Sequence, residues 1–463
     1  MTAARVIAGF AADLRLDDVP LAVREAACLH LIDSIGVGLA SSVGEGQRGW
    51  PAAMRAGGGI ATCLSGGQAG PNEAAMLNGA LIHALEYDDT HTASVIHGSA
   101  VAAPVALAAA EAEQASGADL LLNYVIAWEV MIRIGLAAPG IFQARGFQVT
   151  AIAGAIGAAA AAARQRGLPA ESIAHAIGIA GSQASGLLAF LEDGSSVKAL
   201  NPGWAAQTGI MAASLAASGM TGPAGVLDGP MGVMQVFAGQ VGDLSEQTAK
   251  LGHRWHLPDA AFKLYPCCHY IHPFLEATEQ LMAQGVRAHQ VHSITVDVAA
   301  GQVPLICEPW TRRQAPSSGY DGKWGLAYCI ALMLQTGKVD VASFETTPND
   351  AVIALARRID WRLMKNAKFP QVFPAHMVVK TAEGASLSAT IEDVRGTSKR
   401  PVGTDRIETK FMQNALRRLP EGTCRPLLAM LTNICDAPDL SALSTLLRMP
   451  IEQKPSASSH ANL

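Results

Sequence analysis

Residues Leu81–Pro104 read LIHALEYDDTHTASVIHGSAVAAP. The stretch gathers Glu86, Asp88, Asp89, Thr90, His91 and His97 between runs of Ala, Leu, Val and Gly. Acids and imidazoles are costly to bury unless they are paired or used. A polar knot in an apolar frame is therefore a junction between two buried helices or a reaction site. On the first reading Asp88 and Asp89 end one helix, Ser99 caps the next, and the histidines stay solvated. On either reading the flanks are helical, so the frame is mainly α.

Outward from this knot, residues 1 to about 260 keep helical periodicity. Cys28, Leu31, Ile32, Ile35 and Leu39 recur at helical spacing after Pro20. Ala106–Ala115, Leu120–Ile134, Ala151–Arg166 and Trp204–Gly219 read the same way, and no convincing strand interrupts them. The texture changes after Phe262. Ile294, Val296 and Val298 alternate with polar residues, and Met377–Thr381 and Ser386–Ile391 flank the turn pair Glu383-Gly384. Helical patterns at Lys323–Thr336 and Asp350–Met364 lie between these strands. From Thr404 the chain turns helical again. The expected architecture is a large helical domain from residues 1–261 and 398–463, with a smaller α+β domain, 262–397, inserted. A cleft between them is the usual place for a ligand. The last ten residues, KPSASSHANL, lack apolar anchors and are expected to be disordered.

The 463 residues are half hydrophobic, only 16% charged, and carry a net charge of -5. No basic block marks a nucleic-acid partner. The longest apolar run, Ala151–Ala163, is too short and too alanine-rich to span a bilayer. The eight cysteines form no disulfide framework, which suits a reducing, cytoplasmic setting.

Three further stretches carry chemistry. In GFQVTAIAGAIGAAAAAA, Gly146–Ala163, a helix cap accounts for Thr150 but leaves Gln148 unexplained. In SGLLAFLEDGSSVKALNPGWAAQTG, Ser185–Gly209, Lys198 follows a Gly-Ser turn and precedes a buried-looking helix. Such a lysine can anchor a carboxylate, or act as a base if its pKa is depressed. In FKLYPCCHYIHP, Phe262–Pro273, the C-C-H-x-x-H spacing of Cys267, Cys268, His269 and His272 is not that of structural zinc motifs. No metal is expected. A core role with a satisfied hydroxyl is the default for Tyr328.

Together with RGTSKRPVGTDRIETKF, these motifs run in order along nearly the whole chain, which resembles the MmgE/PrpD family. That family includes 2-methylcitrate dehydratase, cis-aconitate decarboxylase and iminodisuccinate epimerase. The resemblance implies a large all-helical domain built from both chain ends, a smaller α+β lid domain, a homodimer, and no metal or organic cofactor. Thr90 and His97 match the family's Asp-rich segment and following histidine, with one extra residue between them. Glu86 stands where some relatives have an acid, Lys198 matches the lysine of Gly-Ser-x-x-Lys, and Lys263 the lysine before Tyr-Pro. Tyr328 matches an active-site tyrosine of the lid. Gln148 and Cys268 depart, each standing where relatives carry histidine. Glutamine cannot titrate, so it can bind a carboxylate but not shuttle a proton.

The implied activity is cofactor-independent lyase chemistry on a small di- or tricarboxylate, by elimination or decarboxylation. His97, oriented by Glu86 or Asp89, is the expected proton carrier, Lys198 and Lys263 hold charge, and Tyr328 donates from the lid. Glu86, Asp89, Thr90, Gln148, Cys268 and His269 are the expected substrate contacts. Epimerisation of a dicarboxylate is the alternative, because Gln148 removes a proton carrier. A non-catalytic carboxylate-binding protein on the same fold is the second alternative.

Overall fold

The computed structural model describes residues 1–54, 58–239, 244–369 and 371–450; the KPSASSHANL tail lies outside the described residues. The chain is mainly helical with a small sheet. The helices that build the site are α1 (Leu21–Ser41), α2 (Pro71–His83), α3 (Ser99–Ala112), α4 (Gly117–Leu136), α5 (Val149–Gln165) and α6 (Leu200–Ala217). After them come α7 (His272–Ala283), α8 (Leu326–Thr336) and α9 (Thr404–Ala415).

Alanine and glycine decide how these helices meet. Helix α6 packs on α5 and α2, and at the contacts there is no room for a side chain. A Cβ at Gly203 would sit 2.1 Å from Met76 O, and one at Gly209 would sit 2.3 Å from Ala158 Cβ. Small residues let the backbones approach to contact distance, which is how an alanine-rich chain forms a dense core. This packing holds Lys198, in the turn entering α6, beside the loop that leaves α2.

One apolar core draws on residues 3–260 and 411–447. A second draws on residues 264–391 and contains the four-stranded sheet. Strand β1 (Val291–Val298) is central. It pairs in parallel with β2 (Ile359–Leu363), opposite Ile294 and Ile359, and antiparallel with β3 (Ala375–Thr381). The hairpin β3–β4 (Ser386–Ile391) completes the order β2-β1-β3-β4. The parallel pair requires a crossover, and α8 lies within it.

Two local expectations change. The helix expected over Asp350–Met364 stops at Ala356, and Ile359–Leu363 is an edge strand. Ile359 continues the helical spacing of Val352 and Leu355, but pairing with β1 overrides local pattern. Within the first 260 residues a two-residue pairing joins Ala61–Thr62 to Gln68–Ala69. All eight cysteines are free, and among the described residues no single helix is long and apolar enough to cross a membrane.

Gly203→Ala should lower the unfolding free energy by about 1–3 kcal/mol, the usual effect of overpacking. Gly46→Ala, where a Cβ meets nothing within 4 Å, should leave it nearly unchanged. Denaturant midpoints of the two variants compare them; equal midpoints would contradict the tight α2–α6 contact.

Candidate active site

Helix α2 ends at His83, and the chain turns sharply through Glu86, whose φ of 55° places a non-glycine residue in the left-handed region. Such strain persists where the surroundings over-determine it. Here the surroundings are charges. Lys198 Nζ donates to Glu86 Oε1, Lys263 Nζ lies 3.6 Å from Glu86 Oε2, and the same Nζ donates to Glu86 O at 3.2 Å. All three side chains are buried. Burial disfavours the Glu86 carboxylate, but Lys198 and Lys263 outweigh it and bring its pKa down to about 2. Burial likewise opposes the Lys263 ammonium, yet Glu86 and Asp88 raise its pKa above the ordinary lysine value.

One backbone bridge and one side-chain tie hold these segments in register. Thr90 and Ala261 exchange N–H···O bonds of 3.0 and 2.9 Å, which sets Lys263 beside the loop. Lys410 on α9 then ties three elements. Its ammonium donates to Asp33 on α1, to Tyr87 O and to Lys263 O, the last two at 2.9 Å.

A cavity of about 330 Å³ opens against this cluster. It brings together Glu86, Thr90, His97, Gln148, Lys198, Lys263, Cys268 and His269, eight of the ten residues expected from the sequence. Asp89 and Tyr328 are not on its wall. Asp89 accepts from Ser99 N at 3.1 Å and from the Ser99 hydroxyl, and faces His30 Nδ1 at 2.8 Å. It therefore holds the N-terminus of α3 and does not end α2, and Ser99 donates to it and is not itself the cap. Tyr328 is buried in the second core, on the first turn of α8. Trp324, just before α8, stands on the cavity wall instead, and Lys198 Nζ lies 5.0 Å above its ring.

The group that orients His97 is Asp88, not Glu86 or Asp89. His97 Nδ1 lies 3.2 Å from Asp88 Oδ2, and His83 Nδ1 meets the same oxygen at 2.7 Å. His83 was not singled out from the sequence, because it reads there as the last apolar-face position of a helix. Gln148 Nε2 lies 3.3 Å from His83 Nε2, and Asn201 Nδ2 donates to Gln148 Oε1 at 2.5 Å. An amide nitrogen only donates, so His83 Nε2 accepts and its Nδ1 proton points at Asp88. With Nδ1 of His97 also turned to Asp88, its Nε2 is left for the cavity. Burial lowers the His97 pKa to about 4 against the pull of Asp88, so at neutral pH this imidazole is an unprotonated base. Thr150 does not cap α5. It sits inside the first turn, and its hydroxyl accepts from His97 N at 3.1 Å. Burial, reinforced by Lys263 and His97, takes His269 to about 3, and burial pushes the Cys268 thiol up to about 12. Both are neutral.

Two groups of side chains have ligand atoms close enough to hold a metal, namely His83 with Asp88 and His97, and His91 with His256 and Asp259. Other contacts already engage them. Asp88 takes both imidazoles, His91 Nδ1 bonds Ser94 Oγ at 2.8 Å, and Asp259 pairs with Arg254. Cys267, Cys268, His269 and His272 form no such group among the described residues.

Residues 5–243 match the MmgE/PrpD N-terminal domain, and residues 265–433 match the MmgE/PrpD C-terminal domain. A cis-aconitate decarboxylase of Aspergillus terreus is 28% identical over 96% of each chain. The cis-aconitate decarboxylase-like protein oryM of Aspergillus oryzae is 30% identical over 75% of this chain and 76% of its own. The human cis-aconitate decarboxylase is 29% identical over 82% of this chain and 80% of its own.

The buried imidazoles predict an acid-sensitive fold. His91 and His97 stay neutral down to about 4 and His269 down to about 3, chiefly through burial. An unfolded histidine takes up its proton near about 6.5. Between these values the unfolded chain binds more protons, so stability falls as pH drops from about 6.5 towards 4. The melting temperature should decline between pH 7 and pH 5; a flat profile would refute the buried, neutral assignment.

Proposed function

Because the chain belongs to the MmgE/PrpD family, we propose that it is a lyase that breaks a bond next to the carboxylate of a small organic acid, using its own side chains. The observation that carries this reading is the buried Lys198–Glu86–Lys263 cluster facing the neutral imidazole of His97 across one cavity. The lysines bind the carboxylate by charge-assisted hydrogen bonds. They also stabilise the enolate-type charge that develops when the neighbouring bond breaks. Where the reaction starts with loss of a proton, His97 Nε2 is the acceptor. Where it starts with loss of carbon dioxide, the electron pair stays on carbon, and a lysine ammonium supplies the proton that replaces the carboxyl group. The relatives' decarboxylase names favour the second course.

Isomerisation by proton removal and return is a second reading. It is favoured by the neutral base at His97, and by Gln148 occupying a place where a titrating residue would serve a relay.

We assign the exposed apolar side chains of residues 187–211 to a homodimer interface. Leu187, Leu191, Val197, Trp204 and Met211 are each 42–61% exposed, and such surfaces mark docking sites. Trp204→Glu should reduce the mass measured by light scattering towards 48.1 kDa; a wild-type chain that is already monomeric would overturn the assignment.

Incubation with a panel of carboxylic acids in heavy water, followed by NMR, separates the courses. Loss of carbon dioxide or water supports the lyase, hydrogen exchange alone supports the isomerase, and binding without either leaves a carboxylate-binding protein. Lys198→Ala should lower turnover by at least ~100-fold, the scale of a lost charge stabiliser. His97→Gln should lower kcat by about as much. Gln148→Ala should chiefly raise KM, since a neutral hydrogen bond contributes only ~1 kcal/mol. Dialysis against a chelator should leave the rate unchanged.

A further inference from the structure

We infer that the protein has a second ligand site, back to back with the first, which binds the carboxylate or phosphate group of a small molecule between α9 and the turn that follows α8. This site is separate from the lysine cavity and does not depend on the reaction proposed there.

The second site is a cavity of about 510 Å³. Two stretches of chain lie between it and the first cavity. Glu86 and Lys263 line the first, and their neighbours Tyr87, Leu264 and Tyr265 line the second. Lys410, which holds Tyr87 O and Lys263 O at 2.9 Å, also stands on the second cavity's wall. Opposite α9 the wall is Met333 on α8 and the residues 337–341 that follow it.

One face of α9 and its exit supplies the polar wall. Arg406, Lys410, Gln413, Asn414 and Arg417 recur there at helical spacing, and all five side chains carry N–H donors. Three of them have donors with no acceptor. Arg406 is exposed, and among the described residues its side chain makes no hydrogen bond or ion pair. Asn414 is 3% exposed, and its Nδ2 has no partner. The Nε of Arg417 is also buried without one. Buried polar atoms are normally satisfied. The unfilled groups here are all donors, so the ligand brings acceptors, and a carboxylate or phosphate also answers an unpaired guanidinium.

The carboxylates on the wall do not oppose this. Glu279 accepts from the Tyr265 hydroxyl at 2.6 Å and pairs with Arg395. Asp340 accepts from Ser343 N at 3.0 Å and faces Lys338 Nζ at 2.7 Å. The other cations are answered too, Lys410 by Asp33 and Arg417 by Glu345. Arg406 is the charge left over. Burial raises the phenol pKa of both Tyr87 and Tyr265, and Arg406 opposes the rise in each, which fits a guanidinium turned towards them. Leu264, Met333, Val339 and Val341 give the ligand's carbon skeleton an apolar surface.

The test is hydrogen–deuterium exchange of the full chain with inorganic phosphate or malonate, each compared with sodium chloride at equal ionic strength. A bound anion should slow exchange in residues 333–341 and 404–417, and the tighter probe identifies the group that the site prefers. Arg406→Ala should weaken that probe at least about tenfold, the scale of a charge-assisted hydrogen bond, and leave the melting temperature unchanged. Asn414→Leu, which removes the unpartnered amide, should weaken it as well. Lys198→Ala should leave the protection in place. Protection that survives Arg406→Ala, or that vanishes in a folded Lys198→Ala chain, would overturn the inference. Absence of protection with both probes would overturn it too.

Discussion

A carboxylate cannot stay charged in a protein interior unless cations meet it there, and Glu86 is such a carboxylate. Its charge persists because Lys198 and Lys263 reach it from segments 112 and 177 residues away in sequence. Each lysine is in turn charged and buried because Glu86 is there. Removing one partner would leave the others uncompensated, which is more costly than never having built the cluster. The left-handed turn at Glu86, the Thr90–Ala261 bridge and the Lys410 tie all serve to keep these three groups at contact distance. The electrostatics of this cluster and the local folding are thus the same set of interactions.

The apolar frame explains why the cluster holds its geometry. Helices α2, α5 and α6 meet through glycine and alanine, so the elements that carry Glu86, Gln148 and Lys198 approach with little slack. Side chains that interdigitate loosely would let the ammonium groups drift to solvent. Close backbone contact leaves them only the cavity. The second core supplies the facing wall, with Cys268, His269, Trp324 and Phe373, and this wall is neutral.

Next to the charged cluster runs a polar chain from Asn201 through Gln148 and His83 to Asp88 and His97. Its direction follows from one fact, that the Gln148 amide nitrogen can only donate. Asp88 is left as the anion that receives both imidazoles, and its pKa is held well below the usual carboxylate range by His83 and His97 despite burial. The glutamine at position 148 therefore fixes a hydrogen-bond direction that a titrating ring would leave open.

Much of this was legible in the sequence. Periodicity placed the long helices and the β3–β4 hairpin, and the polar knots around Glu86, Gln148, Lys198 and Lys263 stood out because charge is scarce in so apolar a chain. These are local properties of residue type and spacing. The partners were not legible, because partnership is set by distances between segments that sequence does not measure. Asp88 and Asp89 are adjacent and chemically alike, and only the packing of α1 and α3 sends one to the helix terminus and the other to the histidines. Tyr328 and Trp324 differ by one helical turn, and the start of α8 decides which one reaches the cavity. Lys410 reads as an ordinary surface lysine on an amphipathic helix, and only the return of α9 onto α1 buries it as a brace. Sequence by itself determined which groups had to be paired; the tertiary structure decided with whom, because a buried charge is satisfied by whatever the fold brings within hydrogen-bond reach.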